Sequence, residues 1–295
     1  MDSRRSQVRW VLAGLAAAIM LLLASCSAPP PARKASPPSA PAVQEPDRGE
    51  PDRGELARHA TKPEHKLKAA VTTKEVTPAA PSAVPLHHRK RMAGYPGEIT
   101  HASSPTKIAL TFDAGASPAP TPSILKTLKS AGLQVTFFLT GKWCEQNPDL
   151  VKEIVADGHE IGNHSYSHQD FRKLSDDAIA EQLRQTEDIV MRLTGRTTKP
   201  LFRPPYGGRD KRVLSVAGQE GYTSVYWSLD SLDAFKKGIT SQEIENRILD
   251  RIQGGDIVLM HCGSAPTADA LADMISKLQK RGYQIVKVSE LTSGG

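Results

Sequence analysis

The run Ile108-Ala109-Leu110-Thr111-Phe112 is apolar apart from one β-branched threonine, and it stops at a carboxylate, Asp113. Its length and composition predict a buried strand with a chemically capable residue at its C-terminal end. Six further runs of this kind follow, at Val135–Leu139, Glu160–Asn163, Leu201–Arg203, Ser224–Trp227, Ile257–Met260 and Ile285–Val288. Helix signals lie between them. Asn147-Pro148 supplies a cap and an N1 proline for a helix ending near Gly158, and Ser175 caps one running to Gly195. Thr240 with Glu243 forms a capping box, and Thr267 begins a last helix that stops before Gly282. Seven such units in about 185 residues predict an α/β fold, a closed or nearly closed parallel barrel. A doubly wound open sheet has the same local pattern.

The polar residues fall where the strands end. Asp113 follows the first, His164 and His168 the third, Arg203 closes the fourth, Asp230 and Asp233 follow the fifth, and His261 the sixth. In a parallel α/β architecture these ends share one rim, so separate strands can bring reactive groups together there. Taken singly, each has an ordinary explanation as a turn, surface or strand-end residue; together they predict a site. His164 and His168 stand at i and i+4, one face of a helical turn, where two imidazoles can bind one borderline-soft cation. A catalytic zinc normally takes a third protein ligand. His159, separated by Glu160–Asn163, is assigned a structural role.

In this order the segments resemble the polysaccharide deacetylase family, the NodB-homology domain of carbohydrate esterase family four. The resemblance runs from about Ile108 to Leu291. It rests on Thr111-Phe112-Asp113-Ala114-Gly115, His164 to His168, Arg203-Pro204-Pro205-Tyr206, Asp230-Ser231-Leu232-Asp233-Ala234 and Leu259-Met260-His261. It implies a distorted seven-stranded β/α barrel and metal-dependent removal of acetyl groups from an N- or O-acetylated sugar polymer, such as peptidoglycan or a chitin-like glycan. It also implies roles. Asp113 is the general base, Arg203 orients it, and His164 and His168 hold a divalent metal, Zn²⁺ ahead of Co²⁺ or Ni²⁺. His261 is the general acid, tuned by Asp233; Trp227 and Leu259 line the pocket; the Tyr206 backbone N–H is the oxyanion donor.

Two positions depart from the family pattern. Ala114 stands where a second aspartate is the usual third metal ligand, so the site reduces to His164, His168, water and Asp113. A catalytically silent, glycan-binding domain of the envelope is the alternative function that Ala114 motivates. Ala234 replaces an aromatic, which widens or reshapes the groove unless Trp143 compensates from another loop.

Charge and composition divide the rest of the chain. Of 295 residues 22 are Pro, and twelve of these lie between Ser27 and Pro85, a stretch without Trp, Tyr or Phe. The first 26 residues carry +2 and residues 27–95 carry +5 of the formal +6, which leaves −1 on 96–295 and disfavours a nucleic-acid groove. Arg4, Arg5 and Arg9 precede an uncharged run from Trp10 to Leu23, too short for a permanent span, and Leu23-Ala24-Ser25-Cys26 resembles the lipobox of bacterial lipoproteins. The expected organisation is a signal peptide over 1–26, a Pro/Ala-rich basic linker over 27–95 and the deacetylase domain over 96–295. Lipid on Cys26 would hold a monomeric, exported protein on the outer side of the membrane or envelope. Cys144 and Cys262 both follow strands, and in an oxidising compartment a disulfide is expected, with free thiols or thiolate ligation as alternatives.

Overall fold

Lys107–Ala114 (β1) is the strand about which the sheet is built. It pairs in parallel with Thr136–Leu139 (β2) on one side and Ile257–His261 (β7) on the other, while its first two residues pair with Gln284–Ile285 (β8). The computed structural model describes residues 94–293, which all lie in one compact unit. The expected signal peptide, Cys26 and residues 27–93 fall outside the described residues. Beyond β2 come Glu160–Asn163 (β3), Leu201–Phe202 (β4) and Thr223–Ser224 (β5); beyond β7 comes Leu229–Asp230 (β6). The order β5-β4-β3-β2-β1-β7-β6 gives seven parallel strands curled into a half-barrel with helices around it, as the sequence predicts. The short β8 lies off that path.

Eight helices connect these strands among the described residues: Thr121–Ser130 (α1), Gly141–Gln146 (α2), Pro148–Ala156 (α3), Asp176–Thr194 (α4), Lys211–Gln219 (α5), Ser241–Arg251 (α6), Ala265–Lys280 (α7) and Val288–Thr292 (α8). Local chemistry sets their ends. The Ser175 side chain accepts from Ala178 N–H, Asp176 and Asp177 occupy the positive first turn of α4, and Gly195 ends it at φ 68°. Both halves of the Thr240–Glu243 capping box are formed on α6. Pro148 starts α3 at its first position.

Several boundaries differ from the sequence expectation. Ser264, not Thr267, caps α7, and α8 follows it. Val288, expected in a strand, opens α8 because its N–H is taken by the Thr136 hydroxyl at 2.9 Å. Ser224–Trp227 shortens to Thr223–Ser224, since the Tyr226 N–H leaves the sheet to donate to Ile99 O at 2.7 Å. That bond belongs to the segment Glu98–Ala102. Ile99 pairs in parallel with Val225 and His101 antiparallel with Asp256, so the segment spans from β5 to the start of β7.

Behind the rim the core packs Phe112 on Phe137, with centroids 5.3 Å apart, among buried Leu110, Leu139, Val258 and Met260. Cys144 and Cys262 are buried in the same core as separate free thiols, so the expected disulfide is not formed. Burial pushes the Cys144 thiol up to about 12 and the Cys262 thiol well above its usual value, which keeps both protonated, as small apolar fillers rather than ligands. Trp143 is likewise core, and it does not replace the aromatic missing at Ala234.

Candidate active site

Asp113 and His261 are register partners on neighbouring parallel strands, β1 and β7, and both open into one cavity of about 290 Å³ at the C-terminal rim. Each is backed by a buried group of opposite character.

Behind Asp113 lies Arg203, fully buried where the chain leaves β4. Its Nη1 donates to Asp113 Oδ1 at 2.8 Å and to the Thr111 hydroxyl at 2.8 Å. Nε and Nη2 reach the carbonyls of Val225 and Tyr226 at 3.2 and 3.3 Å, and the guanidinium lies 4.1 Å from the Phe138 ring centroid. Thr111 in turn donates to Val258 O at 2.6 Å. The carboxylate is therefore held on one oxygen, and its second oxygen is left for chemistry. A buried ion pair of this kind is worth little net stability against apolar packing, but removing one partner costs about 3–5 kcal/mol because the other charge is stranded. Its use here is to fix geometry.

Asp233 does the corresponding work for His261. Its side chain is fully buried; Oδ1 lies 2.7 Å from His261 Nδ1, and Oδ2 accepts from the His261 backbone N–H at 2.9 Å and the Thr267 hydroxyl at 2.7 Å. Burial resists charge on the His261 ring, but the hydrogen bond and charge of Asp233 outweigh it and hold its pKa above the usual histidine value. For Asp233, burial also opposes ionisation, and the bonds from His261 and Thr267 overcome it, so its pKa lies below the usual carboxylate value. With Nδ1 tied to Asp233, the proton His261 can deliver is the one on Nε2.

His164 and His168 line the same cavity. The turn between them is not helical: Ser165 and His168 adopt left-handed φ of 69° and 58°, Asn163 Oδ1 accepts from Ser165 N–H at 2.9 Å, and Ser165 Oγ accepts from His168 N–H at 2.9 Å. This loop brings the two rings to 4.8 Å. His164 Nδ1 is 2.8 Å from Arg203 O and must donate there, which leaves the Nε2 lone pair 3.5 Å from Asp113 Oδ2. Burial pushes the His164 pKa down to about 4 and also lowers that of His168, so both imidazoles are neutral, the form that binds a cation.

The donor set fits a divalent cation on the imidazole side. Ala114 packs in the apolar core and carries no donor, and among the described residues no three His, Cys, Asp or Glu are grouped to hold a metal. His159 lies elsewhere, accepting on Nδ1 from Val135 N–H at 3.2 Å with its ring against Phe137, the structural role expected of it. Asp230, singled out in the sequence, caps the turn by accepting from Leu232 N–H at 2.7 Å.

Trp227 and Leu259, expected as walls, and Tyr206, expected as oxyanion donor, line the cavity too, with Pro204, Gly207, Ala234 and Phe235 among the others. Tyr206 sits on the tight turn Pro205–Gly207 at φ 57° and ψ 10°, edge-on to His168 at 4.5 Å. Phe235 is not among the residues that the sequence singles out. It is 61 % exposed, faces His261 edge-on at 6.4 Å and stands one residue past Ala234. Its only sequence signal is adjacency to the departure at Ala234.

A carboxylate fixed on one oxygen, an acid histidine opposite and a ready imidazole pair, carried on the rim of a parallel half-barrel, are the equipment of a hydrolase. Comparison with known proteins agrees: the polysaccharide deacetylase family model matches residues 101–225. A peptidoglycan-N-acetylglucosamine deacetylase of Bacillus cereus is 37% identical over 191 residues, covering 63% of this chain and 68% of that protein. The chain belongs to the polysaccharide deacetylase family, a family of hydrolases. Among solved structures, Bacillus subtilis PdaA, a family 4 carbohydrate esterase, superposes with a TM-score of 0.63 at 31% identity, covering 66% of this chain and 84% of that one. A Bacillus anthracis pseudoenzyme of the same esterase family superposes with a TM-score of 0.63 at 32% identity, covering 67% and 69%; a mutant of it has restored enzymatic activity.

Proposed function

We propose that this protein deacetylates N-acetylated glycan of the cell envelope, peptidoglycan in the first instance, with a divalent cation held by His164 and His168. The observation that carries the reading is the register pairing of Asp113 with His261, each with its own buried partner, across one cavity. When bound, the cation would polarise the acetyl carbonyl, Zn²⁺ being the expected ion ahead of Co²⁺ or Ni²⁺. Asp113 takes the proton of the attacking water on the oxygen that Arg203 leaves free. The Tyr206 backbone N–H donates to the carbonyl oxygen as it gains charge. His261 then gives its Nε2 proton to the sugar nitrogen, which leaves poorly as an anion, and Asp233 steadies the charge on that ring. Trp227, Leu259 and Phe235 bound the space for sugar and acetyl.

Peptidoglycan is favoured by the relatives' substrates and by the expected placement: lipid on Cys26 and a linker with an r.m.s. reach of about 40–50 Å would hold the domain near an immobile polymer. Acetate release by the full chain from peptidoglycan, chitin oligomers, poly-N-acetylglucosamine and acetylated xylan, with and without Zn²⁺ or Co²⁺, tests the reaction. Release from peptidoglycan that depends on metal is expected. Mass spectrometry of the mature N-terminus tests the anchor, and an unmodified Cys26 in membrane-extracted protein would refute it. The second reading, a silent glycan-binding domain, is favoured by Ala114; binding of peptidoglycan without acetate release at saturating metal decides for it.

A further inference from the structure

The segment Tyr95–Ala102 packs behind the wall of the cavity. Glu98, its side chain fully buried, grips Arg209 with both oxygens, Nε–Oε1 at 2.5 Å and Nη2–Oε2 at 3.0 Å, and also accepts from the Ser224 hydroxyl and the Tyr95 N–H at 3.0 and 3.2 Å. The Arg209 guanidinium so fixed lies 3.5 Å from the Tyr226 ring centroid, with Tyr95 at 5.6 Å. Tyr226 stacks on Trp227, centroids 3.9 Å apart and planes 13° from parallel. Arg209 Nη1 also reaches Gly207 O at 3.3 Å. Gly207 is pressed against the same stack: a Cβ there would come within 2.7 Å of Tyr226 and 2.8 Å of Trp227. Gly207 and Trp227 both line the cavity. Glu98 and Tyr95 precede the residues matched by the family model.

We infer that Glu98 and Arg209 are positioning residues of the site. Glu98 orients the guanidinium, the guanidinium holds the Tyr226–Trp227 stack and the Gly207 carbonyl, and these set the width of the groove that receives the glycan. The inference rests on the glycan reading, because it assigns the wall a sugar to hold. A planar, bidentate cation is needed for this: Lys keeps the charge but neither the fork nor the stack.

The test compares Glu98→Gln, Arg209→Lys and Arg209→Met with the natural full-length protein, by binding of a tetrameric N-acetylglucosamine oligomer in calorimetry, by acetate release and by thermal unfolding. Arg209→Lys retains the ion pair, so it serves as the folded variant if the others unfold. For Arg209→Lys the oligomer Kd and the KM should rise by about three- to tenfold with kcat within about twofold, and Arg209→Met should exceed it. Folded variants whose oligomer Kd and KM stay within twofold of the natural protein, whatever their Tm, would overturn the inference. Because oligomer binding is read on chelator-treated protein, without turnover, loss of binding in the variants alongside no acetate release from any of them at added metal would sustain the positioning role and reject the deacetylase.

Discussion

The two oxygens of Asp233 bind the same residue twice: Oδ1 holds the His261 ring through Nδ1, and Oδ2 holds its backbone N–H. The carboxylate thus fixes the position of His261 and its protonation together. Since the His261 pKa is raised, the acid is available below that value and is lost as pH rises through it. In Asp233→Asn, burial is opposed only by the charges of Asp113 and Asp230, so the high-pH limb of kcat should move to lower pH, as measured in a pH–rate profile on peptidoglycan. His261→Ala should lower kcat by about 10²- to 10⁴-fold while leaving Zn²⁺ binding intact. An unmoved limb in Asp233→Asn would break the assignment.

Ala114→Asp supplies the carboxylate that the family resemblance places as third metal ligand. Zn²⁺ should bind at least about tenfold more tightly, about 1.4 kcal/mol, with turnover kept or raised. Because Ala114 is buried, the metal-free variant should melt below the natural protein and recover on adding Zn²⁺. His164→Ala and His168→Ala should lose metal and activity together, and Asp113→Asn should lose activity. Chelator competition and acetate release report both quantities.

Phe235 is exposed, so Phe235→Ala should leave the Tm unchanged within about a degree. If the ring carries a sugar face, KM for polymer should rise about two- to tenfold with kcat little changed. Phe235→Trp should restore it. Equal KM values in the three proteins would remove Phe235 from the groove.

His159 sets an acid limit on stability. Burial holds its pKa down to about 4, and a proton on Nδ1 would break its bond from Val135 N–H. The unfolded chain takes up that proton near pH 6.5 and the folded one only near 4, so the contribution is complete above pH 6.5 and falls as pH drops to 4, by roughly 3 kcal/mol. His164, also pushed down to about 4, titrates in the same window. Urea unfolding of His159→Gln between pH 4 and 7 should therefore show a shallower pH slope; an unchanged slope would exclude His159 as a source.

Elements whose ends are fixed by local chemistry were readable from the sequence. Glu160–Asn163 is a strand from its first residue to its last, and α4 begins and ends at Ser175 and Gly195 as its caps require. Where a distant partner takes the backbone, local pattern fails: Tyr226 follows Ile99 and Val288 follows Thr136. The site behaves likewise. Asp113, Arg203 and His261 were visible at strand ends, whereas the His164–His168 pair was placed on a helical turn although two left-handed residues bring the rings together. Thr267 beneath Asp233 and Phe235 over His261 owe their roles to tertiary approach, which no spacing announces.

The segment Glu98–Ala102 also decides where mechanical load enters. A pull on the chain at Gly94 would meet first Glu98, held by Arg209 and Ser224, and then Ile99 and Ala102, which are bonded to Ser224, Tyr226 and Gly255 at 2.8, 2.7 and 2.9 Å. A Cβ on Gly254 or Gly255 would overlap the backbone of Pro105 or Ala102, so the contact is close enough to pass force without slack. A pull along the segment would load those bonds, which lie beside the Tyr226–Trp227 stack. Under the proposed anchor and glycan reading, tether load and glycan contact would fall on neighbouring residues, Ile99 beside Tyr226 and Trp227.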